Sequence, residues 1–241
     1  MHFFPWPGQA GNQRGLLVSN SEYCDPPLVN NITPASDYAK VPITLEMVRA
    51  QQAAHGVNII LIERKRNKWS LSRNWYFNRR ITGNTPCAIS GPAAGHEFMK
   101  TAADATGKNV LGTLNNCAHG YTPWGTYLTC EENWNGYFSN ESGDVIGELD
   151  IERKFNILKG QSRYGVVKGG FGYRWHEVDE RFRADLHPNE PHRFGWVVEI
   201  DPRNPWAKPI KRTALGRMKH EGAQVVVDRH KHVAFYMGDD E

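Results

Sequence analysis

Apolar residues in this chain come in short runs, each stopped by glycine, proline or a polar turn, and that punctuation limits the fold to one built from many short strands. Residues 15–19 (GLLVS), 57–62 (VNIILI), 68–71, 110–114, 125–129 and 195–200 (GWVVEI) read as strands. Residues 224–227 and 232–237 flank a polar turn and read as a hairpin. Two segments look helical. Residues 44–55 start at Thr44, a good N-cap, and Met47 and Val48 supply one apolar face. Residues 91–101 hold a short helix around 97–100. Residues 141–192, rich in charge, glycine and aromatics, read as long loops with short strands. The expected class is all-β, a sandwich or a β-propeller, with one or two short helices in insertions.

With 241 residues the chain can bury a sizeable core. A formal charge of only +3 gives no ground for a nucleic-acid or membrane partner. No apolar run is long enough to span a bilayer, and the opening MHFFPWPGQAGNQ has neither the basic nor the apolar region of a signal peptide. The four cysteines, at 24, 87, 117 and 130, form no CxxC, which argues against a zinc ribbon.

The most telling stretch is 115–133, NNCAHGYTPWGTYLTCEEN. An apolar strand there delivers Cys130, Glu131 and Glu132 side by side. Alternation puts Cys130 and Glu132 on one face and Glu131 on the other, and a bend at the strand end lets all three converge. A thiolate beside carboxylates suits a mixed metal site; the ordinary alternative is a buried thiol and two solvated acids. Gly216-Arg217-Met218-Lys219-His220-Glu221 reads either as an anion clamp (Arg217, Lys219, His220) with a metal ligand (Glu221), or as a solvated turn. Asp239, Asp240 and Glu241 follow a glycine and form either a cation loop or an acidic tail. Glu22, after the 15–19 strand, is a further oxygen donor or a turn residue. Asn115 and Asn116 either present amides to a substrate or shape a turn.

Taken in order, NSEY (20–23), NNC with TPWGTYLTCEEN (115–133), EIDP (199–202), GRMKHEGA (216–223) and MGDD (237–240) resemble the PhoX family of alkaline phosphatases. The resemblance runs from about residue 2 to the end, and TPWGTYLTCEEN is its specific part. It implies a six-bladed β-propeller, here a single partial domain, and phosphomonoester hydrolysis with iron and calcium as cofactors. It implies a small phosphoester as partner and export to the periplasm. Carried over by position, Cys130 is the iron thiolate, Glu131 and Glu132 are adjoining ligands, and Glu221 ligates iron. Glu22, Asp239 and Asp240 take calcium. The expected mechanism, oxygen attack on phosphorus at the metals, leaves Arg217, Lys219 or His220 to steady the phosphate and Asn116 to present an amide to the substrate. Cys130 and Glu221 are the catalytic pair in this reading. Ser21 stands where the family usually has histidine, and the family continues past the Gly-Asp-Asp word, so the chain reads as a fragment. Two other readings stay open: a calcium-dependent propeller hydrolase of lactonase type, which would not need Cys130, and a non-catalytic calcium-binding propeller.

Overall fold

A computed structural model describes residues 1–8, 11–73 and 76–240. Strands β1 (His2–Pro5), β2 (Arg14–Ser21), β3 (Gly56–Lys65), β4 (Lys68–Leu71) and β5 (Arg79–Ile81) form an antiparallel sheet around β3. One edge of β3 pairs with β2; the other is divided between β4 and β5. Alternation along β3 buries Val57, Ile59 and Leu61 and leaves Asn58, Ile60 and Ile62 half-buried. The buried set packs with Phe4, Leu16 and Val18 against Tyr127, Val198 and Ile200 of a second sheet.

That second sheet runs β7 (Asn109–Leu111), β6 (Pro86–Ser90), β11 (Ile210–Arg212), β10 (Val197–Ile200), β9 (Tyr127–Glu131), β8 (Asn116–Tyr121). All of its pairs are antiparallel except β6 with β11. A third sheet, the hairpin of β12 (His220–Val227) and β13 (Val233–Asp239), packs on β8 and β9. Ala223 and Val225 seal against Leu128, Cys130 and Val197. The approach is so close that a side chain at Gly120 would strike the Ala223 carbonyl, so only glycine fits there. A separate aromatic core gathers Trp134, Tyr137, Phe138, Trp175, Phe182, Phe194 and Trp196.

Among the described residues the regular structure is therefore mainly strand with few helices, as the punctuation predicts, but the three sheets are open and do not close on themselves. Short helix α1 (Pro26–Val29) is capped by Asp25. Helix α2 (Leu45–Ala54) begins where Thr44 predicts, its hydroxyl accepting from the Met47 amide. Residues 141–192 differ from the expectation of loops with short strands. They contain helix α3 (Ile151–Arg163), capped by Asp150, and 3-10 turns. No helix among the described residues is long and apolar enough to cross a membrane.

His55, the residue that ends α2, is fully buried. Its Nδ1 lies 2.7 Å from the Gln51 carbonyl, so Nδ1 donates, and Nε2 is left to accept from the Tyr137 hydroxyl at 2.8 Å. Burial pulls this imidazole down to about 4. The folded value lies below the unfolded value of about 6.5, so the unfolded chain takes up the proton first. Stability is full above the unfolded value and falls as pH drops towards the folded one, by up to about 3 kcal/mol from this residue. Denaturant midpoints at neutral pH and at about pH 4.5 measure it; a level midpoint would place the ring in contact with solvent.

Candidate metal centre

The three sheets meet at their strand ends, and acids occupy the first position past several of them. Glu22 follows β2, Glu132 follows β9 and Asp240 follows β13. Two more donors come from the second residue of a strand, Cys117 of β8 and Glu221 of β12. One donor atom each from Glu22, Cys117 and Glu132 lie within 4.8 Å of one another, and so do those of Glu132, Glu221 and Asp240. Glu132 belongs to both groups, and Cys117 Sγ is 3.9 Å from Glu221 Oε1.

Local backbone geometry puts them there. Asn115 sits in the left-handed region at φ 49°, which asparagine tolerates better than most side chains. Its carbonyl accepts from the Cys117 and Glu132 amides, each at 3.0 Å. The β8–β9 register then slips between Asn116 and His119, a bulge of the kind that re-aims side chains. Asn20 ties β2 to β8 by donating to the Cys117 and Ala118 carbonyls at 3.1 and 2.9 Å. Its Oδ1 accepts from the Tyr127 and Thr129 hydroxyls. A second register slip, between Glu221 and Gln224, shapes the hairpin beside the site.

Electrostatically this is an anionic site lacking a counter-charge. No Lys, Arg or His ion pair reaches Glu22, Glu132, Glu221 or Asp240 among the described residues. Burial raises the Glu132 carboxyl, and a hydrogen bond with Asp240 and the charges of Glu221 and Glu22 raise it further. Burial, the bond to Glu132 and the neighbouring acids push the Cys117 thiol up to about 12. Hard oxygens around one sulfur, each repelled by the next, fit a bound cation that replaces their protons.

The sequence-predicted residues fall into two groups. The structure brings together Glu22, Glu132, Glu221 and Asp240. It places Cys130 elsewhere: fully buried, paired with Val197, in the apolar layer of Leu128, Ala223 and Val225. Burial pushes this thiol up to about 12. Strand alternation does not carry Cys130 to the Glu132 side, because Glu132 lies past the strand end, where the chain has already turned.

Glu131 is also turned inward. It is fully buried, 2.7 Å from Lys211 Nζ, and accepts from the Gly195 and Trp196 amides at 3.0 and 3.1 Å. Arg217 does not face a phosphate; its guanidinium donates to the Phe194 and Pro191 carbonyls and stacks between Trp134 and Tyr164. His220 is buried, with Nε2 on the Gly216 carbonyl, and burial lowers its pKa, so it is neutral near pH 7. Asn116 is buried and donates to Thr113 Oγ1. Lys219 is half-buried and Asp239 is exposed, accepting from the Lys219 amide at 3.2 Å. Glu241 lies outside the described residues. The donor that sequence reasoning missed is Cys117; its signal was the Asn115-Asn116 pair ahead of it, which shapes the turn that aims the thiol.

No curated protein matches the chain. A solved structure of Pseudomonas fluorescens PhoX in complex with vanadate, a transition state analogue, is similar with a TM-score of 0.85 and 44% identity. The match covers 99% of this chain and 38% of that one, so the chain spans well under half the length of its relative. The family model for alkaline phosphatase PhoX matches residues 1–241. On both grounds the chain belongs to the PhoX family of alkaline phosphatases.

Proposed function

We propose that the chain is part of a metal-dependent phosphomonoester hydrolase and supplies ligands to its metal centre. The observation that carries this reading is the convergence of Cys117 with Glu22, Glu132, Glu221 and Asp240 at the junction of three sheets. The donor chemistry suits iron at the sulfur-bearing group and calcium at the all-carboxylate group. When bound, such cations neutralise the phosphoryl oxygens and supply an activated oxygen nucleophile.

The chain's own residues hold and tune that centre. Glu132 bridges the two groups, and Asn133 Nδ2 donates to its Oε1 at 2.7 Å, fixing the carboxylate. Glu221, the second residue of β12, is exposed beside the inward-turned His220, and Lys219, half-buried, directly precedes the strand. Arg217 and His220 are held by backbone carbonyls, which leaves Lys219 as the cation of this segment suited to a small phosphoester. The vanadate bound by the P. fluorescens relative supports phosphate-ester chemistry. The finer architecture we infer is a portion of a six-bladed propeller, exported to the periplasm like the family it resembles.

The test is phosphate release from an aryl phosphate by the chain loaded with iron and calcium, with vanadate as inhibitor. Glu132→Gln keeps the side-chain volume and removes the shared carboxylate, and is expected to cost about 100-fold or more in rate. Calcium uptake without iron, and no phosphate release, would turn the reading towards a non-catalytic calcium protein.

A further inference from the structure

We propose that Asn115 is a positioning residue for the metal centre, fixing Cys117 and Glu132 at the spacing a shared cation needs; the inference rests on the metal reading above. Cys117 lies in β8 and Glu132 just past the end of β9, and Asn115 bonds to the chain at both. Its carbonyl accepts from the amides of Cys117 and Glu132, each at 3.0 Å. Its Oδ1 accepts from the Asn133 amide at 2.7 Å, and Asn133 Nδ2 in turn reaches Glu132 Oε1 at 2.7 Å. Its Nδ2 donates to the Tyr137 hydroxyl at 3.3 Å, and that hydroxyl is held by His55. Asn115 is only 5% exposed, and its side-chain oxygen and nitrogen both bond to protein. It therefore acts through the ligands and does not itself meet a substrate.

The left-handed backbone at position 115 makes the idea separable from folding. Glycine adopts φ 49° without strain, so Asn115→Gly keeps the turn and both carbonyl bonds and removes only the side-chain bracket. Partners that orient a ligand contribute about 10- to 100-fold in metal affinity.

The experiment is a cobalt(II) titration of the metal-free chain, read by the cobalt–thiolate charge-transfer band, beside a thermal melt without metal. Asn115→Gly is expected to melt near the parent, bind cobalt about 10- to 100-fold more weakly, and show a weakened or displaced thiolate band. Tyr137→Phe, which deletes the hydroxyl met by Asn115 Nδ2 and leaves the ring, is expected to shift affinity the same way by less; it decides the matter should the glycine variant fail to fold. Parental affinity, within about twofold, in every variant that folds overturns the inference alone. A parent without any cobalt–thiolate band overturns it together with the metal reading.

Discussion

Lys211→Met lowers the unfolding free energy by about 3–5 kcal/mol, the range for stripping one partner from a buried ion pair. Lys211 and Glu131 are both fully inaccessible, with Nζ 2.7 Å from Oε1. The ammonium also donates to the Arg193 carbonyl at 2.9 Å and lies 3.8 Å from the centre of the Phe194 ring. Methionine fills the space but leaves a carboxylate in the core without its counter-charge. Replacing both partners separates charge from hydrogen bonding. Glu131 accepts from the Gly195, Trp196 and Leu114 amides, so an apolar residue at 131 orphans three buried donors, each costing about 1–3 kcal/mol. Glutamine at 131 keeps an acceptor and carries no charge. Lys211→Met with Glu131→Gln should therefore recover about 2 kcal/mol or more of the single-variant loss. Denaturant midpoints on the three proteins measure this. A Lys211→Met loss under about 1 kcal/mol would mean that the carboxylate finds water or another partner.

The same pair shows what could and could not be seen in the sequence. Glu131 and Glu132 are identical neighbours in the word TCEEN, yet one anchors a core and the other lines the acidic site. The difference is made by Lys211 and residues 193–196, which no local pattern links to position 131. Elements with their own local signal were legible: β2 and β3 as punctuated apolar runs, the β12–β13 hairpin through its polar turn, α2 through its Thr44 cap. Helix α3 was not, although Ile151, Phe155 and Leu158 recur at i, i+4 and i+7: the charged and glycine-rich sequence around it hid that stripe, and the fold leaves Ile151 and Phe155 facing solvent while burying Ile157 and Gln161. Strands β6 and β11 were missed for another reason. They are short and pair in parallel across a long stretch of chain, Ile210 beside Ala88, and only tertiary contact makes them strands. In the site, acids at strand ends were readable one by one. Arg217 was not, because the rings of Trp134 and Tyr164 that cover it come from distant segments.

Cys117→Ala should abolish the cobalt–thiolate band and weaken cobalt binding by at least about tenfold, whereas Cys130→Ala leaves both intact. The two thiols lie on adjacent strands, and a single bulge between Asn116 and His119 helps decide which of them meets the acids. Cys117 is near Glu22, Glu132 and Glu221; Cys130 packs with Leu128, Val197, Ala223 and Val225. Stability responds in the opposite sense. Removing sulfur from the packed layer at 130 costs about 1 kcal/mol through the cavity it leaves. Removing it at 117 changes the metal-free protein little, because that thiol is half-exposed and, with its pKa near 12, uncharged at neutral pH. The high pKa also sets the sign of the pH dependence. Cation binding must expel the Cys117 proton, so affinity rises with pH and the titration releases acid in the parent but less in Cys117→Ala. The reverse pattern, a band lost with Cys130→Ala and kept with Cys117→Ala, would return the thiolate to the position that strand alternation alone suggests.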